Sequence, residues 1–225
     1  MDAPFWHNRW ARNEIGFHLP HPNPMLTAWW PTLDFAPDSA VWVPLCGKTH
    51  DMRWLRDHGH VVMAVELSRE ALDAFINEQK LALTWRERNG MPMASGQGYT
   101  LYCGDFFDIS ADMLRNVGAV YDRAALIALP PDMRARYVEH LLATLPARWD
   151  MLLITLEYPD SEMAGPPFSV DQDEVQRLFA DCNVQLLQAR NVLAEQPRFR
   201  ESGLSTLIER AWRIRPREPA GHTSL

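Results

Sequence analysis

The residues with the clearest chemical potential in this sequence are a glycine and an acid that end two successive apolar runs. The first run, Val41–Val43, leads into Pro44-Leu-Cys-Gly47, and a helical pattern begins shortly afterwards. Gly47 lacks a Cβ, so the chain can turn sharply there and a ligand can approach the backbone. The second run, Val61–Val65, ends in Glu66, whose two oxygens can accept hydrogen bonds from the hydroxyls of a ribose. Together these residues predict a site for a nucleoside-containing cofactor.

A third apolar run, Tyr99–Cys103, is followed by Asp105 and Phe106. A carboxylate beside an aromatic ring suits adenine, which donates its amino group to the acid and stacks on the ring. The alternative is that Asp105 caps a helix and Phe106 belongs to the core.

These residues need a scaffold that brings the ends of successive strands together, which is what an open α/β sheet does. We expect a Rossmann-like α/β fold with helices on both faces of a seven-stranded, mostly parallel sheet. One strand is antiparallel, because the connection 194–203 between the last two β runs is too short for a crossover helix. The predicted strands are Ala40–Pro44, His60–Val65, Tyr99–Cys103, Ala119–Tyr121, Met151–Leu156, Val184–Leu193 and Leu204–Ile214. The predicted helices are Thr49–His58, one starting after Ser68, Met133–Thr144 and Asp171–Asp181.

The sequence predicts one domain, 1–215, with a loop over 84–98 and a disordered tail over 216–225 that is rich in Pro, Gly, Ser and Thr. Residues 1–35 combine many aromatic side chains with prolines, and we expect an irregular segment that must pack on something. It is either a cap on the core or a lid that excludes water from the ligand site.

The composition of the chain excludes several classes of binding partner. The chain has 225 residues and a formal net charge of −7, which argues against a nucleic-acid partner because phosphate binding needs a basic surface. We find no apolar run of about 20 residues, so we expect no membrane span and a cytoplasmic monomer. The three widely spaced cysteines are expected to be free thiols, and no ligand cluster for a metal ion is apparent.

The absence of two common nucleotide-binding motifs also helps to predict the class of cofactor. Neither Gly-x-Gly-x-x-Gly nor Gly-x-x-x-x-Gly-Lys-Ser/Thr occurs after the first strand. A single glycine with two acids fits an adenosyl group without a pyrophosphate, which describes S-adenosylmethionine. The alternatives are an oxidoreductase that uses NAD or FAD and a non-enzymatic nucleotide-binding module.

An ordered set of short motifs resembles the bacterial form of the thiopurine S-methyltransferase family. The resemblance extends from about Phe5 to Arg215, and its motifs are Trp6-His-Asn-Arg-Trp10, Gly16-Phe-His18, Pro44-Leu-Cys-Gly-Lys48, Asp51-Met-x-Trp-Leu55, Val65-Glu-Leu-Ser68, Tyr121-Asp-Arg-Ala-Ala-Leu126 and Gly165-Pro-Pro-Phe168. It implies a class I methyltransferase fold, S-adenosylmethionine as methyl donor and aromatic or heterocyclic thiols as acceptors. Bacterial relatives are also linked to methylation of selenium and tellurium compounds, including selenite and tellurite detoxification.

The resemblance also implies the site residues. On the cofactor side these are Trp10, Leu45, Gly47, Glu66, Asp105, Phe106 and Arg123. On the acceptor side they are Phe17, Arg123, Phe168 and Arg198. We interpret Arg123 and Arg198 as catalytic, because a guanidinium stabilises the anionic thiolate that attacks the methyl group. The alternatives are an ion pair of Arg123 with Asp122 or Glu157, and a solvated loop position for Arg198.

Overall fold

The structure, a computed structural model, describes residues 3–16, 18–33, 35 and 39–217. Its strands are β1 Ala40–Val43, β2 Val61–Glu66, β3 Thr84–Arg88, β4 Met91–Gly96, β5 Tyr99–Cys103, β6 Val117–Arg123, β7 Asp150–Glu157, β8 Cys182–Asn191 and β9 Ile208–Pro216. Its α-helices are α1 Ala3–Ala11, α2 Pro24–Trp29, α3 His50–Asp57, α4 Arg69–Glu78, α5 Pro131–Thr144, α6 Gln172–Leu178 and α7 Pro197–Glu201. Short 3₁₀ turns occur at Trp30–Thr32, Phe106–Asp108, Leu126–Ala128 and Leu193–Glu195.

The strands form one sheet in the order β3-β4-β5-β2-β1-β6-β7-β9-β8. Strands β5, β2, β1, β6 and β7 are parallel, whereas β9 runs antiparallel to both β7 and β8. The predicted α/β class, the parallel centre and the antiparallel final pair are therefore confirmed. The chain leaves β1 towards β2 and later returns to the other side of β1 as β6, so the order reverses between β1 and β6. Ligands of open α/β sheets bind at such a reversal, outside the carboxyl ends of the strands.

The predicted strand count was wrong, because residues 84–98 form a hairpin of β3 and β4 rather than a loop. The hairpin turns at Asn89-Gly90, where both residues have positive φ, and Asn-Gly is a favoured pair for such turns. Strand β3 lies at the sheet edge with a largely exposed polar surface. An edge strand lacks the buried apolar pattern on which the prediction relied.

Both faces of the sheet are covered. All four residues of β1 are buried, and neighbours along the strand belong to different hydrophobic clusters, Trp42 to one and Val43 to the other. Successive side chains of a strand point to opposite faces, so the two clusters are the two layers of core on either side of the sheet.

The first 35 residues contain two helices, so the prediction of an irregular segment was wrong. Helix α2 begins where Asn23 accepts a hydrogen bond from the Met25 amide and Pro24 occupies the first turn, which is a favoured helix start. Residues Met25, Leu26 and Trp30 are buried in one hydrophobic cluster, so this half of the segment caps the core. Helix α1 lies elsewhere, over the cavity described below.

The remaining sequence predictions concern the chain end and the cysteines. Strand β9 continues to Pro216, one residue into the predicted tail, and residues 218–225 lie outside the described part of the chain. The cysteines are all free, as predicted, and Cys46 is buried in the turn after β1.

Candidate active site

A cavity lies at the carboxyl ends of the central strands. Its walls come from α1 and the segment after it, the turn after β1, the ends of β2, β6 and β7, the segment after β5, helix α5, and the connection from β8 to β9. Most of the residues around it are apolar or aromatic. The described part of the wall carries the three carboxylates Glu66, Asp105 and Glu209, and the cations Arg9, Lys48, Arg123 and Arg198.

The turn after β1 brings backbone to the cavity. Leu45 and Gly47 both have positive φ, 46° and 54°, and the Cys46 amide donates to the Val65 carbonyl at 3.0 Å. A left-handed leucine is uncommon and strained, and such strain is concentrated at ligand sites. Ala124, at the end of β6, is a second non-glycine residue of this kind in the cavity wall, with φ 69°.

The indole of Trp10 covers this turn. A Cβ placed on Gly47 would lie 3.1 Å and 3.3 Å from two carbons of the Trp10 six-membered ring. A side chain at position 47 would therefore need both a strained backbone and a displaced indole. The predicted glycine is required by the turn and by the helix that packs over it.

Glu66 joins the turns that follow β1 and β2. Its Oε2 accepts from the Gly47 amide at 2.8 Å, and its Oε1 accepts from the Ser68 amide at 2.8 Å. The residue is only 7% exposed, and burial raises the pKa of its carboxyl while the Ser68, Gly47 and Leu67 amides oppose that shift. These amides use part of the acceptor capacity of the carboxylate, and the remaining lone pairs can serve a ligand in the cavity.

Asp105 and Phe106 combine the two roles that the sequence left open. Asp105 Oδ1 accepts from the Phe107 amide at 2.9 Å and so caps the 3₁₀ turn. Phe106 is buried, with its ring centroid 4.7 Å from that of Tyr137, yet Asp105, Phe106 and Tyr137 all line the cavity. Asp105 therefore caps the 3₁₀ turn and Phe106 packs in the core, and both residues also line the cavity.

Arg123 ends β6 in the cavity wall, and the two carboxylates considered as its ion-pair partners are engaged by other groups. Asp122 accepts from the Leu126 amide at 3.2 Å and from the Tyr137 hydroxyl at 2.7 Å, and Glu157 pairs with Arg210. The charge of Arg123 also acts on Glu209, where it lowers a carboxyl pKa that burial raises. Arg123 thus contributes positive potential to the cavity.

Arg198 lies on the short helix α7, in the connection between β8 and β9, and the residue as a whole is exposed. Its guanidinium packs against Gly16, where an added Cβ would collide with it. Gly16, Arg198 and the neighbouring Phe199 all line the cavity. The contact joins the N-terminal segment to the connection between β8 and β9, and both sides of the contact belong to the cavity wall.

Comparison with known proteins decides the family. The profile described as "Thiopurine S-methyltransferase (TPMT)" matches residues 1–217. A thiopurine S-methyltransferase of Methylococcus capsulatus is 46% identical over 222 residues, which span 98% of this chain and 100% of that protein. The chain belongs to the thiopurine S-methyltransferase family. It is therefore a methyltransferase with S-adenosylmethionine as its methyl donor, and the oxidoreductase and non-enzymatic alternatives are set aside.

Solved structures support the fold at much lower sequence identity. A SAM-dependent methyltransferase from Anabaena variabilis superposes with a TM-score of 0.66 at 13% identity and covers 96% of this chain and 95% of its own. A Burkholderia thailandensis 1,6-didemethyltoxoflavin-N1-methyltransferase, solved with its substrate and S-adenosylhomocysteine, gives 0.64 at 13% identity, covering 96% and 87%. The class I methyltransferase fold expected from the family resemblance is confirmed.

The cavity gathers most of the predicted site residues, namely Trp10, Leu45, Gly47, Glu66, Asp105, Phe106, Arg123 and Arg198. Phe17 lies outside the described residues. Phe168 does not line the cavity: its amide donates to the Ile127 carbonyl at 2.7 Å, its ring packs beside Arg134, and Pro166 and Pro167 form that part of the wall instead.

Sequence reasoning missed several residues of the wall, among them Trp6, His18, Lys48, Tyr137 and Glu209. Glu209 had a recognisable signal, since a Glu-Arg pair interrupts the apolar residues near the start of the last strand. Two features are absent from the described residues: a cluster of three His, Cys, Asp or Glu side chains suited to a metal ion, and a helix long and apolar enough to span a membrane.

Deleting residues 1–20 should weaken both S-adenosylhomocysteine binding and turnover, because the deletion removes Trp10 from its position over Gly47. Losing one buried aromatic contact of about 1.5–3 kcal/mol corresponds to roughly 10- to 100-fold in affinity. The deletion ends before Asn23, which anchors the remaining segment, so the sheet should stay folded. Titration calorimetry and circular dichroism test this, with Trp10→Ala as the point control. A truncated protein with unchanged affinity and rate would rule out a covering role for α1.

Proposed function

We propose that this enzyme transfers a methyl group to the sulfur of aromatic and heterocyclic thiols, with thiopurines among them. This proposal is supported by one observation: the same cavity is lined by Arg123, by Arg198 and by mostly apolar side chains. The apolar part suits a flat ring, and two guanidinium groups suit an anionic sulfur. The names of the relatives that share nearly the whole sequence point to the same acceptor class.

The residues present fit the donor. The free acceptor capacity of Glu66 suits two ribose hydroxyls, and the turn at Leu45 and Gly47 offers backbone beside them, under Trp10. We propose that Asp105 and Phe106 hold the adenine and that Arg123 contributes to the amino-acid end of the donor. When bound, S-adenosylmethionine supplies a methyl group that is already activated by the positive charge of its sulfonium.

The protein's own contribution is then mainly positioning and electrostatics. A donor of this kind needs no metal, and holding two reactants in line can supply several kcal/mol of the barrier. Arg198 and Arg123 orient the acceptor and favour its anion, since the thiolate is the nucleophile. Gly16, in the segment after α1, contacts Arg198 in the connection from β8 to β9, and we propose that this contact helps to exclude water from the cavity.

The test compares matched acceptors. The protein is incubated with S-adenosylmethionine and either 6-mercaptopurine or its oxygen analogue hypoxanthine, and products are identified by mass spectrometry. We expect S-methylation of the thiol and no product with the oxygen analogue. Binding of S-adenosylhomocysteine without methylation of any aromatic thiol in a panel would refute the proposed acceptor class while leaving the donor assignment intact.

We also infer that reduced selenium and tellurium compounds are acceptors, since their anions are nucleophiles of the same kind as thiolates. Such activity would appear as volatile methylated products formed only with S-adenosylmethionine.

We infer a cytoplasmic enzyme that acts as a monomer without nucleic acid. The net charge of −7 argues against a nucleic-acid partner, and the three free cysteines fit a reducing compartment such as the cytoplasm.

A further inference from the structure

One carboxylate of the cavity has no part in the function proposed so far. Glu209 lies near the start of β9, opposite Leu156 in the register between β7 and β9. Arg123 lies opposite Ile154 in the register between β6 and β7. Both Ile154 and Leu156 line the cavity, so Glu209 and Arg123 share one wall, with a single strand between them. In the strand order β2-β1-β6-β7-β9, this wall lies away from Glu66, which ends β2.

The three carboxylates of the described wall differ in how they are held. Glu66 is engaged by two backbone amides, and Asp105 is an exposed cap on a 3₁₀ turn. Glu209 receives a hydrogen bond from the Asn23 side-chain amide to Oε1, and at 3.2 Å it is long. Glu209 is partly buried, and a carboxylate with a single long hydrogen bond retains its capacity to accept a proton.

The group that contacts Glu209 is itself fixed. Asn23 is buried, its backbone amide donates to Asp51 Oδ1 at 2.7 Å, and its Oδ1 accepts from the Met25 amide at 2.7 Å. Asp51 Oδ2 in turn accepts from the Tyr121 hydroxyl at 2.9 Å. This buried network connects α2, α3 and β6 and holds the Asn23 amide at the position that orients Glu209.

We infer that Glu209 is the proton acceptor that converts a neutral thiol, or the N–H form of a heterocyclic thione, into the nucleophilic anion. This inference rests on the proposed acceptor class. The proton passes from the acceptor's sulfur or ring nitrogen to a Glu209 oxygen, and the electron pair of that bond stays on the acceptor. The acceptor sulfur then forms its bond to the methyl carbon, and the electron pair of the broken methyl–sulfonium bond stays on the donor's sulfur.

The electrostatic surroundings suit this role. Burial raises the pKa of Glu209 most strongly, and Glu195 on the 3₁₀ turn after β8 raises it further. The Asn23 hydrogen bond, Arg123 on β6 and Arg190 on β8 oppose the rise, and the buried Tyr121 phenol on β6 also interacts with the carboxylate. The net effect is a carboxyl pKa above its ordinary value and nearer to neutral pH, where a general base works best.

The decisive variant is Glu209→Gln, which keeps the shape and an oxygen for Asn23 but cannot take a proton. Two acceptors are compared: a thiol still protonated at the assay pH, and 5-thio-2-nitrobenzoate, which is already an anion. We expect kcat/KM to fall about 100-fold or more for the protonated thiol. For the anionic thiol it should stay equal or rise, because a negative charge has left the wall. Affinity for S-adenosylhomocysteine should not change.

The control is Glu70→Gln, which makes the same change in charge at an exposed residue in the first turn of α4 that does not line the cavity. It should leave both acceptors unaffected. Glu209→Asp should recover part of the lost rate. In Glu209→Gln, the rate with the protonated thiol should increase with pH as the fraction of acceptor that is ionised in solution increases. In the wild-type enzyme, the pH dependence of the rate should instead follow the ionisation of the Glu209 carboxyl.

Two outcomes would overturn the inference. Equal losses for both acceptors would assign Glu209 a structural role, and an unchanged rate with the protonated thiol would remove it from the reaction. The wild-type enzyme separates these outcomes from a failure of the proposed function. If wild type methylates neither thiol, the acceptor class is wrong, whereas methylation of the anionic thiol establishes the reaction independently of Glu209.

Discussion

Replacing Glu66 with alanine should weaken S-adenosylhomocysteine binding by about 100-fold or more. In the proposed donor site the carboxylate accepts hydrogen bonds from two ribose hydroxyls, and charge-assisted hydrogen bonds contribute about 1.5–3 kcal/mol each. Losing both corresponds to roughly 10²- to 10⁴-fold in the dissociation constant. Titration calorimetry with S-adenosylhomocysteine measures this loss without requiring an acceptor.

The hydrogen bonds of Glu66 explain why a second variant is needed for this prediction. Glu66 also accepts from the Gly47 and Ser68 amides, so alanine leaves two buried donors unpaired and should lower the melting temperature. Glu66→Gln keeps the volume and one oxygen, and its loss of affinity should lie between wild type and alanine. Glu70→Gln, an exposed acid in the first turn of α4, is the matched control. Wild-type affinity in a folded Glu66→Gln or Glu66→Ala protein would contradict the ribose assignment.

Replacing Arg198 with alanine should lower kcat/KM for an anionic thiol by roughly 10- to 100-fold, mainly through KM, with little change in S-adenosylhomocysteine affinity. A hydrogen bond to a charged group contributes about 1.5–3 kcal/mol, and in our proposal the guanidinium of this wall residue binds the acceptor. Arg198→Lys should restore only part of the loss, because an ammonium lacks the planar fork. Arg123→Ala should differ by weakening cofactor binding as well, because we propose that Arg123 also contacts the amino-acid end of the donor.

The contact between Arg198 and Gly16 supplies an independent check. Gly16→Ala would displace the guanidinium without removing it, so it should also raise KM for the thiol. In the double variant Gly16→Ala/Arg198→Ala the two effects should not add, because both act through one side chain. Arg200→Ala, two residues along α7 and outside the cavity wall, is the control. If Arg198→Ala keeps wild-type efficiency from about pH 6 to 9, Arg198 does not act on the acceptor.

Elements with local signals could be predicted from the amino-acid sequence. The buried strands before Gly47 and Glu66 are continuous apolar runs, and their helices begin at capping residues such as Thr49 and Ser68. Because strand ends of a parallel sheet converge at one edge, the sequence alone predicts that Gly47, Glu66, Asp105 and Phe106 share one site. The family resemblance added Trp10, Leu45, Arg123 and Arg198, which also line the cavity.

Contacts between residues far apart in the sequence depend on the folded chain. The β3–β4 hairpin escaped prediction because an edge strand buries little and shows no strong apolar pattern. The contact of Gly16 with Arg198 joins segments near opposite ends of the chain, and no local signal encodes such a pair. Glu209 shares a wall with Arg123 because β9 inserts between β7 and β8, and this strand order is set by packing of the whole sheet. Local patterns therefore determine the strand ends that carry Gly47, Glu66 and Asp105, whereas the placing of Glu209 and Arg198 in the same cavity wall depends on long-range packing.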